Sequence, residues 1–245
     1  MKLKQIVTSI GFAAAALAIS APAFAASFSA STLASGSGFS FDKDTKVNFD
    51  FISSRGGNRS QFGIFTKDGS TLTPINWLFT ESKRSDSGNV TNSNDSLGTC
   101  PNAVPAPCSK TFTFLKGVTY LLGLEDLDVT AGTPIAGTRV YSNDPVGPTI
   151  GANARGMAFV QGPGNPIVYT NFAGNGQNLS KRTTTTLPLA AGQVGIFVND
   201  SWNGDLDQND FVLKAEAVPE PATLLGLGAV AGSMLLARRR KVAAQ

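Results

Sequence analysis

The chain has 245 residues, no histidine, two cysteines and a formal net charge of +3. The ends inflate that charge, because residues 26–217 carry 14 Lys and Arg against 16 Asp and Glu, a net of −2. A body without a basic patch cannot neutralise phosphates, so nucleic acid is excluded as an expected partner. Without histidine, Ser-His-Asp and Cys-His nucleophilic sites and the common zinc sites are excluded in their usual form.

Residues 1–25 have the order of a secretory signal peptide. Lys2 and Lys4 precede an apolar run from Ile10 to Ile19, and Ala23-Phe24-Ala25 supplies small residues at a cleavage site before Ala26. A first transmembrane helix is the alternative interpretation. We expect residues 26–217 to form one exported domain, which is long enough for one sizeable core.

Alternating apolar and polar residues predict strands through most of this domain. The runs lie between clusters of Gly, Asn, Pro and Ser, and no amphipathic helical pattern of three turns occurs between the termini. We expect an all-β fold, an antiparallel β-sandwich of jelly-roll type. The predicted strands are Lys46–Ser53, Gln61–Thr66, Thr111–Leu115, Val118–Leu124, Met157–Gln161, Ile167–Phe172, Gln193–Val198 and Phe211–Ala215, and Thr183–Thr186 is predicted as an exposed strand.

Three polar stretches between these strands are predicted as surface loops: Ser82–Ser109, Asp126–Ala154 and Gly162–Pro166. The first ends in Cys100 and Cys108, which enclose a loop with three prolines. Export places the two thiols in an oxidising compartment, where we expect a disulfide that adds roughly 2–3 kcal/mol to stability. A redox or metal-binding pair is the alternative, although the spacing is not Cys-x-x-Cys.

Acidic residues cluster in the segment Asn199–Asp210, between the last two predicted strands. Asp205, Asp207 and Asn209 occupy alternate positions, and Asp210 follows them. Carboxylates held this close repel each other, and a divalent cation with hard oxygen ligands removes that repulsion. The segment therefore predicts a Ca²⁺ site. The alternative is that these residues form turns and keep the loop tip solvated.

The C-terminal residues 218–245 have three parts. Pro219-Glu220-Pro221 precedes the uncharged stem Ala222–Ala237, and Arg238, Arg239 and Arg240 follow it. As a helix, the 16-residue stem would span about 24 Å, somewhat short for a hydrocarbon core of about 30 Å. With the arginines on the cytoplasmic side, this pattern predicts a hydrophobic helix that places the domain outside the membrane. An ordinary tail anchor and a C-terminal core helix are the alternatives.

This order of proline hinge, apolar stem and arginine cluster resembles the PEP-CTERM sorting signal. The resemblance implies that an exosortase, a membrane protease, recognises the tail at or near Pro219, Glu220 and Pro221. It further implies a Gram-negative-type bacterium and association with the cell surface or with extracellular polysaccharide. The membrane-directed segment would then be removed or exchanged.

A second acidic cluster, Glu125 and Asp126, follows Leu124 at a strand end. Together with Asp207, Asn209 and Asp210 it resembles the calcium-associated β-domain of the domain-of-unknown-function-4114 type. That resemblance implies a Ca²⁺ site that uses both clusters. The alternative for Glu125–Asp128 is again that the acids cap turns.

No pair of carboxylates is marked for glycosidase chemistry, so we expect no enzyme activity. The sequence predicts a structural or binding protein at the cell surface, stabilised by calcium. The alternative is a carbohydrate-binding β-sandwich in which Trp77 and Trp202 stack on sugar rings. A buried tryptophan that closes a hairpin is the other role open to each of them.

Overall fold

The computed structural model describes residues 28–56, 59–82, 96–128, 131–143, 156–172, 182–199 and 210–218. These residues form antiparallel strands and one short helix, α1 (Ala30–Leu33), so the predicted all-β fold is confirmed. The strands are β1 (Thr45–Gly56), β2 (Arg59–Asp68), β3 (Thr71–Thr80), β4 (Ser96–Gly98), β5 (Ser109–Phe114), β6 (Tyr120–Leu127), β7 (Val140–Tyr141), β8 (Gly156–Gln161), β9 (Ile167–Phe172), β10 (Arg182–Leu187), β11 (Gln193–Asn199) and β12 (Phe211–Ala217).

The first sheet has the order β4-β1-β12-β11-β8, and β5 also pairs with β1. The long strand β1 divides one edge between two partners: its first half pairs with β5 and its last three residues pair with β4. On its other side β1 pairs with β12, with a register shift between Phe51 and Ser53. Such a bulge bends a strand.

The second sheet has the order β3-β2-β6-β7, and β9 and β10 form a separate two-stranded ribbon. Strands β2 and β6 pair in regular register from Arg59 opposite Leu127 to Thr66 opposite Tyr120. The β2–β3 pairing contains two register shifts. Bulges of this kind re-aim side chains along the bulged strand.

Phenylalanine rings fill the space between the two sheets. Phe62 of the second sheet stacks on Phe211 of the first with ring centroids 5.9 Å apart, and it lies 6.4 Å from Phe49. All three side chains have no exposed surface. Burying a side chain of this size contributes roughly 1.5–3 kcal/mol. The apolar residues of the predicted two-residue alternation therefore line the inner faces of the two sheets.

A smaller cluster covers the opposite face of the first sheet. Ile167 of β9 and Leu189 pack with Ala158, Phe197 and Val212. Strand β11 is therefore covered on both sides, which explains why Val194–Val198 is buried without interruption. A Cβ atom at Gly195 would lie 2.7 Å from Cγ1 of Ile167, so glycine permits this close packing.

The outer face of the second sheet carries a row of two glycines between two aromatic residues. Gly63 is paired with Trp77 on one side and with Gly123 on the other, and Gly123 is paired with Tyr141. The Phe65 ring lies over this row, since a Cβ atom at Gly123 would overlap its Cε2. The glycines therefore make room for an aromatic layer outside the core.

Two of the predicted loops are wrong in part. Within Ser82–Ser109, β4 joins the first sheet, and Ala103 and Val104 are buried in the core. Ala103 and Val104 form a single apolar pair among prolines and polar residues, and so short a pair gave no recognisable pattern in the sequence. Within Asp126–Ala154, β6 continues through Leu127, and β7 follows with Val140 in the core. The short Gly162–Pro166 segment contains no strand, as predicted.

Strand β3 was not predicted because Pro74 interrupts the pattern, and proline is usually excluded from central strands. Here β3 lies at the edge of the second sheet, where proline is tolerated. The two register shifts opposite β2 also break the two-residue alternation. The exposed strand predicted at Thr183–Thr186 lies within β10.

The predicted disulfide between Cys100 and Cys108 is confirmed. Cys100 packs against the core, and the carbonyl of Cys108 accepts a hydrogen bond of 2.9 Å from the N–H of Phe51. The bridged loop is therefore attached to β1 next to the core phenylalanines.

The described ends are both attached to the fold. Phe28 is buried and packs near Phe41 at 6.5 Å, and Leu33 of α1 has no exposed surface. At the other end, the N–H of Val218 donates to the carbonyl of Lys46 at 2.8 Å. The predicted signal peptide and the predicted C-terminal helix lie outside the described residues.

We predict that Gly123→Ala destabilises the fold by about 1–3 kcal/mol, because the added methyl group would overlap the Phe65 ring. Chemical denaturation monitored by circular dichroism measures this loss. Gly36→Ala is the matched control, since nothing lies within 4 Å of a Cβ atom there. Equal stability of the two variants would contradict the proposed packing over Gly123.

Candidate functional site

The predicted site residues fall into two groups. Asp205, Asp207, Asn209, Trp202, Pro219, Glu220, Pro221, Arg238, Arg239 and Arg240 lie outside the described residues. Glu125, Asp126, Asp210 and Trp77 are described, and the first three are buried at 1%, 0% and 2% exposure. The buried acids are unusual, because carboxylates are rarely enclosed without hydrogen-bonding partners.

Glu125 and Asp126 are neighbours on β6 and therefore point to opposite faces of the second sheet. Among the residues that the structure describes, no three His, Cys, Asp or Glu side chains are arranged to hold a metal ion. Because Asp205, Asp207 and Asn209 are not among them, the Ca²⁺ site stays a prediction.

Asp126 and Glu81 form a buried polar network around Ser60. The Ser60 hydroxyl donates to Oδ1 of Asp126 at 3.0 Å, and the Ser60 N–H donates to Oε2 of Glu81 at 2.6 Å. The Glu81 N–H donates back to the carbonyl of Ser60 at 2.9 Å, and Nε of Arg59 donates to the Glu81 carbonyl at 2.7 Å. The two bonds from Ser60 reach carboxylate oxygens and offset part of the desolvation of Asp126 and Glu81, and the two bonds to backbone carbonyls join the strand ends.

The alternative that acids at Glu125–Asp128 cap turns holds for only one of them. Asp128 is exposed, and its Oδ1 accepts a 2.6 Å hydrogen bond from the N–H of Ala131, three residues on. Glu125 and Asp126 lie within a strand and are buried. For these two residues the alternative of a solvated turn is wrong.

Glu125 is held by two side chains on the outer face of the second sheet. Nε2 of Gln61, directly opposite on β2, donates to Oε2 at 3.0 Å, and Nε of Arg139 donates to Oε1. The Glu125 side chain is 2% exposed, whereas that of Arg139 is 38% exposed. A buried carboxylate therefore holds a partly exposed guanidinium in one place.

Arg139 also belongs to an aromatic layer. Its guanidinium lies over the Phe65 ring, 5.8 Å from the centroid. Trp77 and Tyr141 flank Phe65 with centroids 5.4 and 5.2 Å away and ring planes at 87° and 90° to it. We call Phe65, Trp77, Tyr141, Arg139 and Glu125 the outer-face cluster.

The pKa of Arg139 is subject to opposing effects. Burial lowers it, but hydrogen bonds and charge from Glu125 and Tyr141 outweigh burial, so the pKa is raised. A cation with a raised pKa stabilises the fold fully below its unfolded pKa and loses that contribution only as the pH rises through the folded value. Arg139 therefore stays charged throughout the neutral range.

Trp77 is half-buried in this cluster, at the edge strand β3. Trp77 packs on Phe65 and still reaches the surface, and its stacking on sugar rings stays a prediction. Sequence reasoning did not identify Arg139, Tyr141 or Phe65. The available signal was the pair Gly63 and Gly123, because glycine within a strand marks a close approach.

The comparisons with known proteins bear on the C-terminal tail. Residues 217–241 match the family model of the PEP-CTERM protein-sorting motif. The chain thus carries the sorting signal that its prolines, stem and arginines predict. The match covers about a tenth of the chain and begins at the last residue of β12.

No curated protein matches the chain. The similarity to the calcium-associated β-domain of the domain-of-unknown-function-4114 type remains a prediction. In the part of the chain that the structure describes, no helix has the length and apolar character needed to cross a membrane. The stem Ala222–Ala237, where a spanning helix is predicted, lies outside that part.

We predict that Arg139→Ala lowers the free energy of unfolding by about 1–3 kcal/mol, because Glu125 stays buried without its cationic partner. Adding Glu125→Gln should restore part of this loss, since a neutral amide is less costly to bury than a charge. Urea denaturation of both variants measures the two effects.

Lys110→Ala is the control for Arg139→Ala, because Lys110, on β5 of the first sheet, also lies over an aromatic ring, that of Phe79 at 5.9 Å. It should change stability by no more than about 1 kcal/mol. A double variant no more stable than Arg139→Ala would show that the buried charge of Glu125 is not what Arg139 offsets.

Proposed function

We propose that the protein is a non-catalytic β-sandwich that acts outside a Gram-negative-type bacterium, at the cell surface or in the extracellular matrix. The observation that carries the proposal is the PEP-CTERM motif at residues 217–241. The motif supports export, sorting and processing by an exosortase. The structural or binding role that we assign to the folded body goes beyond what the motif alone supports.

The place of the motif in the fold supports this role. Strand β12 lies inside the first sheet, between β1 and β11, and its last hydrogen bond is that of Val218. Only Pro219, Glu220 and Pro221 separate Val218 from the stem. At about 3.3–3.6 Å per residue, the folded body lies within roughly 14 Å of the stem before processing.

The chemistry of the body supports a role without catalysis. The chain has no histidine. The buried carboxylates of Glu81, Glu125 and Asp126 are engaged by Ser60, Gln61 and Arg139. Groups held in this way maintain the architecture and are poorly placed to exchange protons with a substrate.

Carbohydrate recognition is the second candidate function. It is favoured by one observation: Trp77 is half-buried on the outer face of the second sheet, where the partly exposed side chain of Arg139 also packs on Phe65. Tryptophan offers a large apolar surface and Arg offers paired donors, and both are used to hold polar ligands at protein surfaces.

We predict that replacing Pro219, Glu220 and Pro221 with alanine prevents processing. Cell fractionation and immunoblotting should then show the variant at higher mass in the inner membrane, while the unmodified protein reaches the outer membrane or the medium. Gln245→Ala is the control and should be sorted normally. Normal sorting of the triple variant would contradict the role assigned to the motif.

Calcium stabilisation of the Asn199–Asp210 segment is part of the proposal. A ligand that binds only the folded state at 100 times its Kd adds about 2.7 kcal/mol of stability. We therefore predict that Tm rises in Ca²⁺ and falls on chelation, and that Asp205→Asn with Asp207→Asn removes the response. Asp68→Asn, at the exposed end of β2, is the matched control. A Tm unaffected by Ca²⁺ in the unmodified protein would contradict this prediction.

A further inference from the structure

We propose that the end of β12 must open before the tail is processed, and that a hydrogen-bonded pair, Gln193 and Glu216, controls this opening. We call this pair the latch. The inference rests on the proposed function, because it concerns access to the same PEP-CTERM motif at residues 217–241. It starts from the observation that the motif follows the folded sheet without a spacer.

The last residues of β12 are enclosed by neighbouring strands. Glu216 is paired with a residue of β1 on one side and with Gln193 of β11 on the other. Ala217 packs against the core, and the N–H of Val218 donates to the carbonyl of Lys46 at 2.8 Å. The backbone therefore belongs to the sheet up to the residue that precedes the first proline of the motif.

A side-chain hydrogen bond reinforces this pairing three residues before that proline. Nε2 of Gln193 donates to Oε2 of Glu216 at 2.8 Å, in a partly buried position. The other polar atom of the Gln193 amide, Oε1, accepts a hydrogen bond of 2.9 Å from the N–H of Ala190. Because the acceptor is a carboxylate, the bond between Gln193 and Glu216 is stronger than one between neutral groups.

The N-terminal part of the domain supports Gln193 from the other side. The N–H of Ala30 donates to Oε1 of Gln161 at 2.9 Å, and Nε2 of Gln161 donates to the backbone carbonyl of Gln193 at 3.1 Å. A series of hydrogen bonds thus runs from α1 through β8 and β11 to β12. The latch is therefore connected to the folding of the whole body.

The motif by itself offers few backbone groups for an enzyme to bind. Pro219 and Pro221 have no N–H, so Glu220 has the only amide hydrogen between Val218 and the stem. The stem is predicted to be a helix, in which backbone groups are paired internally. Extended chains are bound largely through main-chain hydrogen bonds. An exosortase that binds the motif in this way therefore needs the residues before Pro219, which only an opened strand end makes accessible.

Pulse-chase labelling of the full chain in its host tests the latch by the half-life of the unprocessed form. Gln193→Ala removes the donor to Glu216 and lies outside the segment that the enzyme binds. The half-life should fall by about three- to tenfold, the range that corresponds to the loss of one hydrogen bond. The reason is that cleavage of a transiently opened segment follows the population of the open form.

Gln61→Ala is the matched control, because it removes a similar bond, from Nε2 of Gln61 to Oε2 of Glu125 at 3.0 Å, on the second sheet. It should leave the half-life unchanged, and circular dichroism confirms that both variants are folded. A second chain carries Gly-Ser-Gly-Ser between Val218 and Pro219, which supplies accessible backbone groups. This chain should be processed faster, and Gln193→Ala should have no further effect in it.

Three results would overturn the inference: an unchanged half-life in Gln193→Ala, an equal acceleration in Gln61→Ala, or an effect of Gln193→Ala that persists in the chain with the spacer. Processing of all variants at one common rate would overturn the latch alone. Absence of processing in the unmodified chain would overturn the proposed function and the latch with it, so the two failures are distinguishable.

Discussion

The contact of Phe62 with Phe211 and Phe49 is the interaction on which the rest of the structure depends. It joins the second sheet to the first across the core, at centroid distances of 5.9 and 6.4 Å. Phe211 opens β12, the strand whose other end leads into the PEP-CTERM motif. This layer of phenylalanine rings therefore holds the two sheets together. It also anchors β12, the strand that continues into the sorting motif. Because phenylalanine fills the inner faces, the hydrogen-bonded polar side chains lie at the margins of the sheets and on their outer faces.

The buried acids follow from that division. Asp126 and Glu81 meet around Ser60, and Glu125 lies on the opposite face with Gln61 and Arg139. In both places, neighbouring donors offset the desolvation that burial imposes on a carboxylate. The outer-face cluster adds aromatic packing to one of these networks. The bond to the buried Glu125 thus fixes the position of Arg139. The outer surface of the second sheet therefore carries a guanidinium that is held in place.

Sequence reasoning identified the strands wherever alternation was regular, as in β1, β2, β11 and β12. It failed at β3, where Pro74 and two register shifts break the pattern, and at β7, which has only two residues. It singled out Glu125 and Asp126 as Ca²⁺ ligands at a strand end, but it did not foresee that both are buried within β6. Arg139 was missed because its partner Glu125 lies 14 positions earlier in the chain, and only the β6–β7 pairing brings the two together. The sorting motif was predictable because its parts are contiguous.

The central claim is that a strand-built body is exported and released from its tail by processing at the motif. Intact-mass analysis of the protein isolated from its host tests this claim most directly. The account predicts a chain that begins at Ala26, lacks the stem and the arginines, and has the mass deficit of one disulfide between Cys100 and Cys108. A mass that corresponds to Met1–Gln245 would contradict it.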